Sequence, residues 1–435
     1  MRRLVVILIV VLSWGQACWG ITPQYETLPE PIQRFFDQQF KDAYQLIADL
    51  RHPKTGVYRD AYVMVGQGEN PSSIAATGVG LIALTIAHRE GWEDNVEVLV
   101  EQTLRAMGGL EPSFIPDRQN DTGFFRHWMS PVSGGRAWNS EYSTIDTALL
   151  VRGALFAANY FCDNPVIREL AWDLYASVDW ERAIANPQTG ALYMVIDEDG
   201  QGKAITRPFN EYVIVADLAR LDPSNQVAQA TWENVYHPEL IWKFPQINFF
   251  GYRLLSDGSM LSSFVSQFVY YLVHDYTVSP SYQEFFRQAQ QGDKYDWNRR
   301  ANWPSYLWGH GAGTEDGLGS GYLANAIGRN KHGIVSPYII AGFLPVYPEG
   351  IEDLYSIYLN HLPYDVYENE SDQADTRRFR QAYRYGLVRF APEKPRWYPA
   401  HMSLVDWSSM LYGLAAFKHG QAVFTDYTNF DPLLD

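Results

Sequence analysis

The chain has 435 residues, of which 15% are aromatic, with two cysteines and a formal net charge of −16. That length buries a large core without disulfides, and the acidic balance disfavours nucleic acid and anionic lipid as partners. Cys18 and Cys162 are too few for a structural zinc site and make a cysteine–histidine catalytic pair a poor candidate.

Arg2 and Arg3 precede the apolar run Leu4 to Leu12, with small residues around Gly15, Ala17 and Gly20. A charged start, an apolar stretch short for a bilayer and a small-residue region make a signal peptide. Residues 1–20 are therefore expected to be removed on export to the periplasm or medium. Residues 21–435 remain as a single domain without a membrane span. Gly15-Gln16-Ala17 is a poor lipidation motif ahead of Cys18, and loss of Cys18 leaves Cys162 without a disulfide partner.

Very apolar helices then alternate with amphipathic ones. Pro31–Leu50 reads as a helix ending near His52-Pro53. Pro71-Ser72-Ser73 opens the apolar helix Ile74–His88, whose Gly78 and Gly80 imply close packing against another helix. Gly91 stops it, and Glu93–Met107 is its amphipathic partner. The pairing recurs as Ser140–Phe161 with Pro165–Val178, Phe209–Leu221 with Ser224–Val235, and Ser259–Val273 with Pro280–Gln290. Further helices are expected at Gly319–Ile327, Pro348–Leu359 and Ser403–Lys418. Ala191–Ile205 reads as a hairpin with Asp-Gly in its turn, and Asp197 and Asp199 fall short of a calcium-loop spacing. Roughly twelve helices in such pairs, with no strand–helix alternation, argue for an all-α toroid.

The chain is organised around Phe124–Phe161. The first half of this stretch is aromatic, basic and broken by glycine, as a loop over a cleft would be. Ser140 or Asn139 is the expected cap of the helix that follows, which places Glu141 and Asp146 in its first turn. An offset of five does not put both carboxylates on one face. Each has a plain alternative reading, as a favourable charge at a helix N-terminus.

Ser72–Gly78 (SSIAATG), with Glu90-Gly91-Trp92, and Glu141–Leu150 (EYSTIDTALL) resemble two signatures of the bacterial glycoamylase-like domain. Endo-β-1,2-glucanases of glycoside hydrolase family 144 share that domain. Val178-Asp179-Trp180, Phe209-Asn210-Glu211, Trp308-Gly309, Gly333–Pro337 and Leu344–Glu349 follow in the family's order, so the resemblance runs from Phe35 to Lys418. It implies an (α/α)6 barrel of inner and outer helices around a funnel, with long loops and a hairpin over the cleft. It also implies glycan hydrolysis with inversion, matching Glu211 to the general acid and singling out Glu141. No cofactor or metal is required, because proton transfer and positioning suffice.

The chemistry agrees with the resemblance. Inversion needs a protonated carboxyl, an ionised one, and room for water between them. Phe209, Tyr212 and Val213-Ile214-Val215 give Glu211 apolar surroundings that raise a carboxyl pKa. Asn139, Ser140, Ser143 and Thr144 favour an ionised Glu141 and Asp146. A helix-end carboxylate remains the alternative for Glu211.

Tyr58, Arg59 and Asp60 follow a family loop with its charged pair reordered, and either bind sugar hydroxyls or form an ion bridge. Phe125, Arg126, His127 and Trp128 resemble the loop beside the cleft; His127 touches substrate or is a satisfied structural histidine. Trp138, Trp303, Trp308, Tyr322, Trp397 and Tyr398 are candidate sugar platforms, although aromatic residues also serve ordinary cores.

The largest departure from the family is Trp308–Asp316, which carries His310, Glu315 and Asp316; an acid/base role or a solvated acidic loop are the readings for that pair. The expected function is hydrolysis of a β-glucan, β-1,2-linked as first candidate, by a monomer whose partner is an oligo- or polysaccharide. The alternative is a non-catalytic glycan-binding protein of polysaccharide assembly or export, and the acidic balance disfavours a polysaccharide lyase.

Overall fold

The computed structural model describes residues 21–64, 70–300, 303–315, 317–319, 321–361, 383–394 and 396–430. The expected signal peptide at 1–20 and Asp316 lie outside them. Helices and connections alternate much as the sequence pattern predicts. Six helices are buried on nearly every side: α2 (Ile74–Glu90), α4 (Thr144–Tyr160), α6 (Val213–Ala219), α8 (Ser263–Leu272), α10 (Pro337–Gly342) and α12 (Leu404–His419). Six others each bury one face: α1 (Glu30–Asp49), α3 (Val96–Met107), α5 (Pro165–Ala176), α7 (Gln226–Thr231), α9 (Pro280–Asn298) and α11 (Gly350–His361).

Each buried helix packs on the next, α2 on α4 through to α10 on α12, and α12 returns to α2, so the ring closes. Outside it, α3, α5, α7, α9 and α11 pack on α2, α4, α6, α8 and α10, and α1 packs on α12. The expected close approach is real: a Cβ at Gly78 would run into the Leu149 carbonyl, and one at Gly153 into the Gly78 carbonyl. Gly80 makes room for the ring of Tyr58. Among the described residues no helix is long and apolar enough to cross a membrane.

The all-α expectation needs correction, because about half of the chain is helical and small sheets join the connections. These sheets sew together the N-terminal ends of the inner helices. Strand β2 (Ser72–Ser73), leading into α2, pairs with β3 (Trp128–Met129), with Ser73 opposite Trp128. Strand β4 (Tyr142–Ser143), leading into α4, pairs with β5 (Ala191–Ile196), with Ser143 opposite Val195. Strand β1 (Ala61–Val63) pairs with β9 (His401–Ser403), which leads into α12. Backbone pairing between residues so far apart leaves no mark in local periodicity.

The hairpin expected at Ala191–Ile205 is present as β5 and β6 (Gly202–Thr206). Its turn is organised by Asp197, whose carboxylate accepts from the N–H groups of Asp199 (3.0 Å) and Gln201 (2.8 Å). The helix expected at Gly319–Ile327 is absent: Tyr322–Ala324 is strand β8, paired with β7 (Ala312–Thr314). Helix α10, absent from the sequence-based expectations, completes the ring.

Candidate active site

Serine precedes five of the six inner helices, at 73, 143, 262, 336 and 403. Ser73 Oγ accepts from the Ala76 N–H (3.4 Å) and Ser143 Oγ from the Asp146 N–H (3.2 Å), so each caps its helix. The cap of α4 is thus Ser143 and not Ser140 or Asn139. Glu141 consequently lies outside the helix, just before β4, while Asp146 occupies the first turn. This separation removes the helical constraint on their spacing, and both carboxylates turn to one imidazole. His127 Nδ1 lies 3.1 Å from Glu141 Oε1 and 3.6 Å from Asp146 Oδ2. Backbone pairing holds the arrangement, with the His127 N–H donating to the Glu141 carbonyl (2.9 Å). The imidazole stacks on Trp128 with ring centres 3.7 Å apart.

Burial opposes the charge on His127, but Asp146, Glu141 and Asp60 outweigh it and raise its pKa to about 9. The hydrogen bond from His127 holds the Glu141 carboxyl below its usual range. Glu211 behaves oppositely: desolvation, with the charges of Asp257 and Asp146 adding, pushes it up to about 7. It sits in the turn ahead of α6, and its neighbour Tyr212 is buried. One carboxyl biased to keep its proton and another biased to lose it is the split expected from the sequence.

Helices α4 and α6 are ring neighbours, so Glu141 and Asp146 flank Glu211. The position across the ring from α6 belongs to α12, and its first turn carries Asp406, a residue absent from the sequence-based candidates. Burial, with the Asp60 charge adding, raises Asp406 to about 6 against the opposing pull of Tyr322 and Arg389. Its Oδ1 accepts from the Tyr322 hydroxyl (3.0 Å), and Ser403 at the start of α12 also acts on the carboxylate. Asp60 links the two groups of carboxyls: its own pKa is raised by burial, and the charges of His127, Asp146 and His401 act on it. A signal for Asp406 is legible in the sequence, since Ser403-Leu404-Val405-Asp406 repeats the spacing of Ser143-Thr144-Ile145-Asp146.

Of the expected binding residues, Asp60, His127, Trp138 and Tyr322 take part in this region. Trp138 is 58% exposed, holds a left-handed backbone (φ 52°) and packs edge-on to Trp128 with ring centres 5.1 Å apart. A bulky residue held there against steric preference needs surrounding support, which such platforms at binding sites receive.

Several other candidates are framework. Tyr58 is buried against Gly80, between the outer-layer groups Arg51 and Glu93. Arg59 lies half-buried in a backbone bridge to Ser72. Phe125 is fully buried beneath Arg118. Arg126 lies 3.6 Å over the Tyr142 ring and holds Glu198 of the hairpin tip (2.6 Å) and Asp117 (3.4 Å). These contacts anchor the hairpin beside the Glu141 strand.

The stretch that departs most from the family is buried too. Trp308 donates to Asp353 (2.8 Å) in the core, and His310 pairs with Asp296 (3.1 Å). Glu315 forms internal ion pairs with Arg389 (3.2 Å) and His332 (2.5 Å), and so is neither a solvated acid nor placed for proton transfer to a sugar. Trp303 stacks near Trp297, while Trp397 and Tyr398 are half-buried on the loop before β9.

Donor atoms of His127, Glu141 and Asp146 all lie within 4.8 Å of one another, a spacing a metal ion would accept. An ion bound there would have to displace the proton that these carboxylates favour on His127.

The ring of inner and outer helices is similar to solved glucoamylase-like folds. An endo-β-1,2-glucanase from Chitinophaga pinensis, solved with sophorotriose and glucose, matches with TM-score 0.72 at 18% identity, over 91% of this chain and 94% of its own. One from Talaromyces funiculosus, solved with sophorose, matches with TM-score 0.61 at 11% identity, over 92% and 87%. The glucoamylase of Hormoconis resinae matches with TM-score 0.53 at 11% identity, over 89% and 74%. No family model matches the chain, and no curated protein matches it by sequence. The resemblance drawn from the signatures is therefore met at the level of the fold.

Proposed function

We propose that the chain is an exported glycoside hydrolase, a single (α/α)6 barrel, that cleaves a β-glucan by inversion. The observation that carries this reading is the placement of Glu211 ahead of α6, in surroundings that raise its carboxyl to about 7, opposite the first turn of α12 with Asp406. Glu211 protonates the departing glycosidic oxygen. The ionised partner that takes a proton from water belongs on the far side of the sugar. Asp406, in the first turn of the helix across the ring from α6 and with one oxygen fixed by Tyr322, is the candidate for that role. Asp146 and Glu141, bridged by His127, bind sugar hydroxyls, and the charge of Asp146 helps keep Glu211 protonated. Trp138 offers an apolar face to a pyranose ring at the rim.

β-1,2-Glucan is the first substrate to try, because two of the structural neighbours are named for its cleavage. A purely glycan-binding role rests on the altered Trp308 stretch, whose described residues Trp308, His310 and Glu315 are buried framework. The test is reducing-sugar release from linear β-1,2-glucan by the mature chain, with Glu211→Gln and Asp406→Asn alongside. Release by the wild type and a loss of about a thousandfold in each variant support the hydrolase. Glycan binding without release supports the binding module.

A further inference from the structure

A cavity of about 600 Å³ lies beside the C-terminal end of α9. Helix α9 runs back alongside α8, and its Asp293 accepts from Ser263 Oγ at the start of α8 (2.6 Å), while Arg329 donates to the Met260 carbonyl just ahead of α8. In a chain of net charge −16, this cavity is lined by Arg299, Arg300, Arg329 and Lys331 against the single carboxylate of Asp296.

That carboxylate is already committed, accepting from Arg299 (2.5 Å) and facing His310 Nε2 (3.1 Å). A second carboxylate, Glu393, acts on Arg300 from outside the lining. Aromatic faces position two of the guanidinium groups. Arg300 lies 4.2 Å from the centre of a Trp297 ring and Arg299 lies 4.9 Å from that of Phe250. Stacking occupies the faces of a guanidinium and leaves its in-plane N–H donors for an oxyanion, which they match in geometry.

Strand β8 runs between this cavity and Asp406. The Tyr322 hydroxyl donates to Asp406, and the next residue, Leu323, lines the basic cavity. Successive residues of a strand face opposite sides, so one strand is the partition between the two. We propose that the cavity binds a phosphate-type oxyanion carried as a substituent on the glucan chain that lies in the hollow. The substituent half of this proposal rests on the hydrolase reading; the oxyanion site itself does not.

The experiment titrates the full mature chain at low salt with inorganic phosphate, then with a β-1,2-gluco-oligosaccharide bearing a phosphate ester and with its unsubstituted counterpart. The comparison protein is the double variant Arg329→Gln/Lys331→Gln, two exposed positions, with its melting temperature checked against wild type. Phosphate should saturate one site on wild type and bind at least about tenfold more weakly to the variant. The ester should bind at least about tenfold more tightly than the unsubstituted oligosaccharide, in competition with phosphate, and the variant should lose that preference. Phosphate that fails to saturate, or binds both proteins equally, overturns the site. Variant-sensitive phosphate binding with no gain from the ester means a free anion is the ligand, and overturns the substituent. If neither oligosaccharide binds while the phosphate result holds, the hydrolase reading fails and the oxyanion site stands.

Discussion

Replacing Glu211 by glutamine should change the pH dependence of stability as well as activity. The folded carboxyl titrates at about 7 against an ordinary value of 4.5, because burial penalises its charge. The folded state therefore holds this proton more tightly than the unfolded chain does. The stability it confers is full below pH 4.5 and is lost as pH rises through about 7. At about 1.4 kcal/mol per pK unit this amounts to roughly 3 kcal/mol, and solvent reaching the partly exposed side chain reduces it to about 2 kcal/mol. A glutamine side chain cannot ionise, so the variant escapes the loss. Urea unfolding at pH 5 and pH 8 should show the variant gaining about 2 kcal/mol on wild type between the two. An equal difference at both pH values would refute the assignment of the raised pKa to Glu211.

The same groups set a bell-shaped profile for kcat/KM: activity should fall below pH 6 as Asp406 is protonated and above pH 7 as Glu211 ionises. A pH–rate series checks this, and activity still rising at pH 9 would contradict it. Trp138→Ala should raise KM about tenfold while leaving kcat within about twofold, as loss of a stacking face that binds substrate and transition state alike requires. Gly78→Ala should destabilise the fold by at least about 2 kcal/mol in chemical denaturation, because the new methyl group meets the Leu149 carbonyl in the α2–α4 contact.

Much of the ring is legible in the sequence because the inner helices are apolar on every side. Ile74–Ala87 is buried without interruption, and such a segment has to be surrounded. Helix α10 gives no such signal, since six residues are too few to display a period. Strand β8 reads as a helix from local sequence because its pairing with β7 leaves no mark in its own periodicity.

At the site, residue types are readable and their placement less so. The cap of α4 follows from β4 pairing with β5, fifty residues on, so local rules favour Ser140 where Ser143 does the capping. Local sequence also offers no means of telling Trp308, sealed in the core, from Trp138, exposed at the rim. Asp406 shows the opposite case. Its Ser-x-x-Asp spacing is present, and only its place across the ring from α6 gives that spacing a meaning.

Inversion requires Glu211 to protonate the leaving oxygen while water attacks the glucan from the opposite face. Following the anomer released from linear β-1,2-glucan by proton NMR during the first turnovers tests this most directly. The α-anomer should appear as first product, from wild type and not from Glu211→Gln. A first product in the β-configuration, or equal release by the variant, would contradict it.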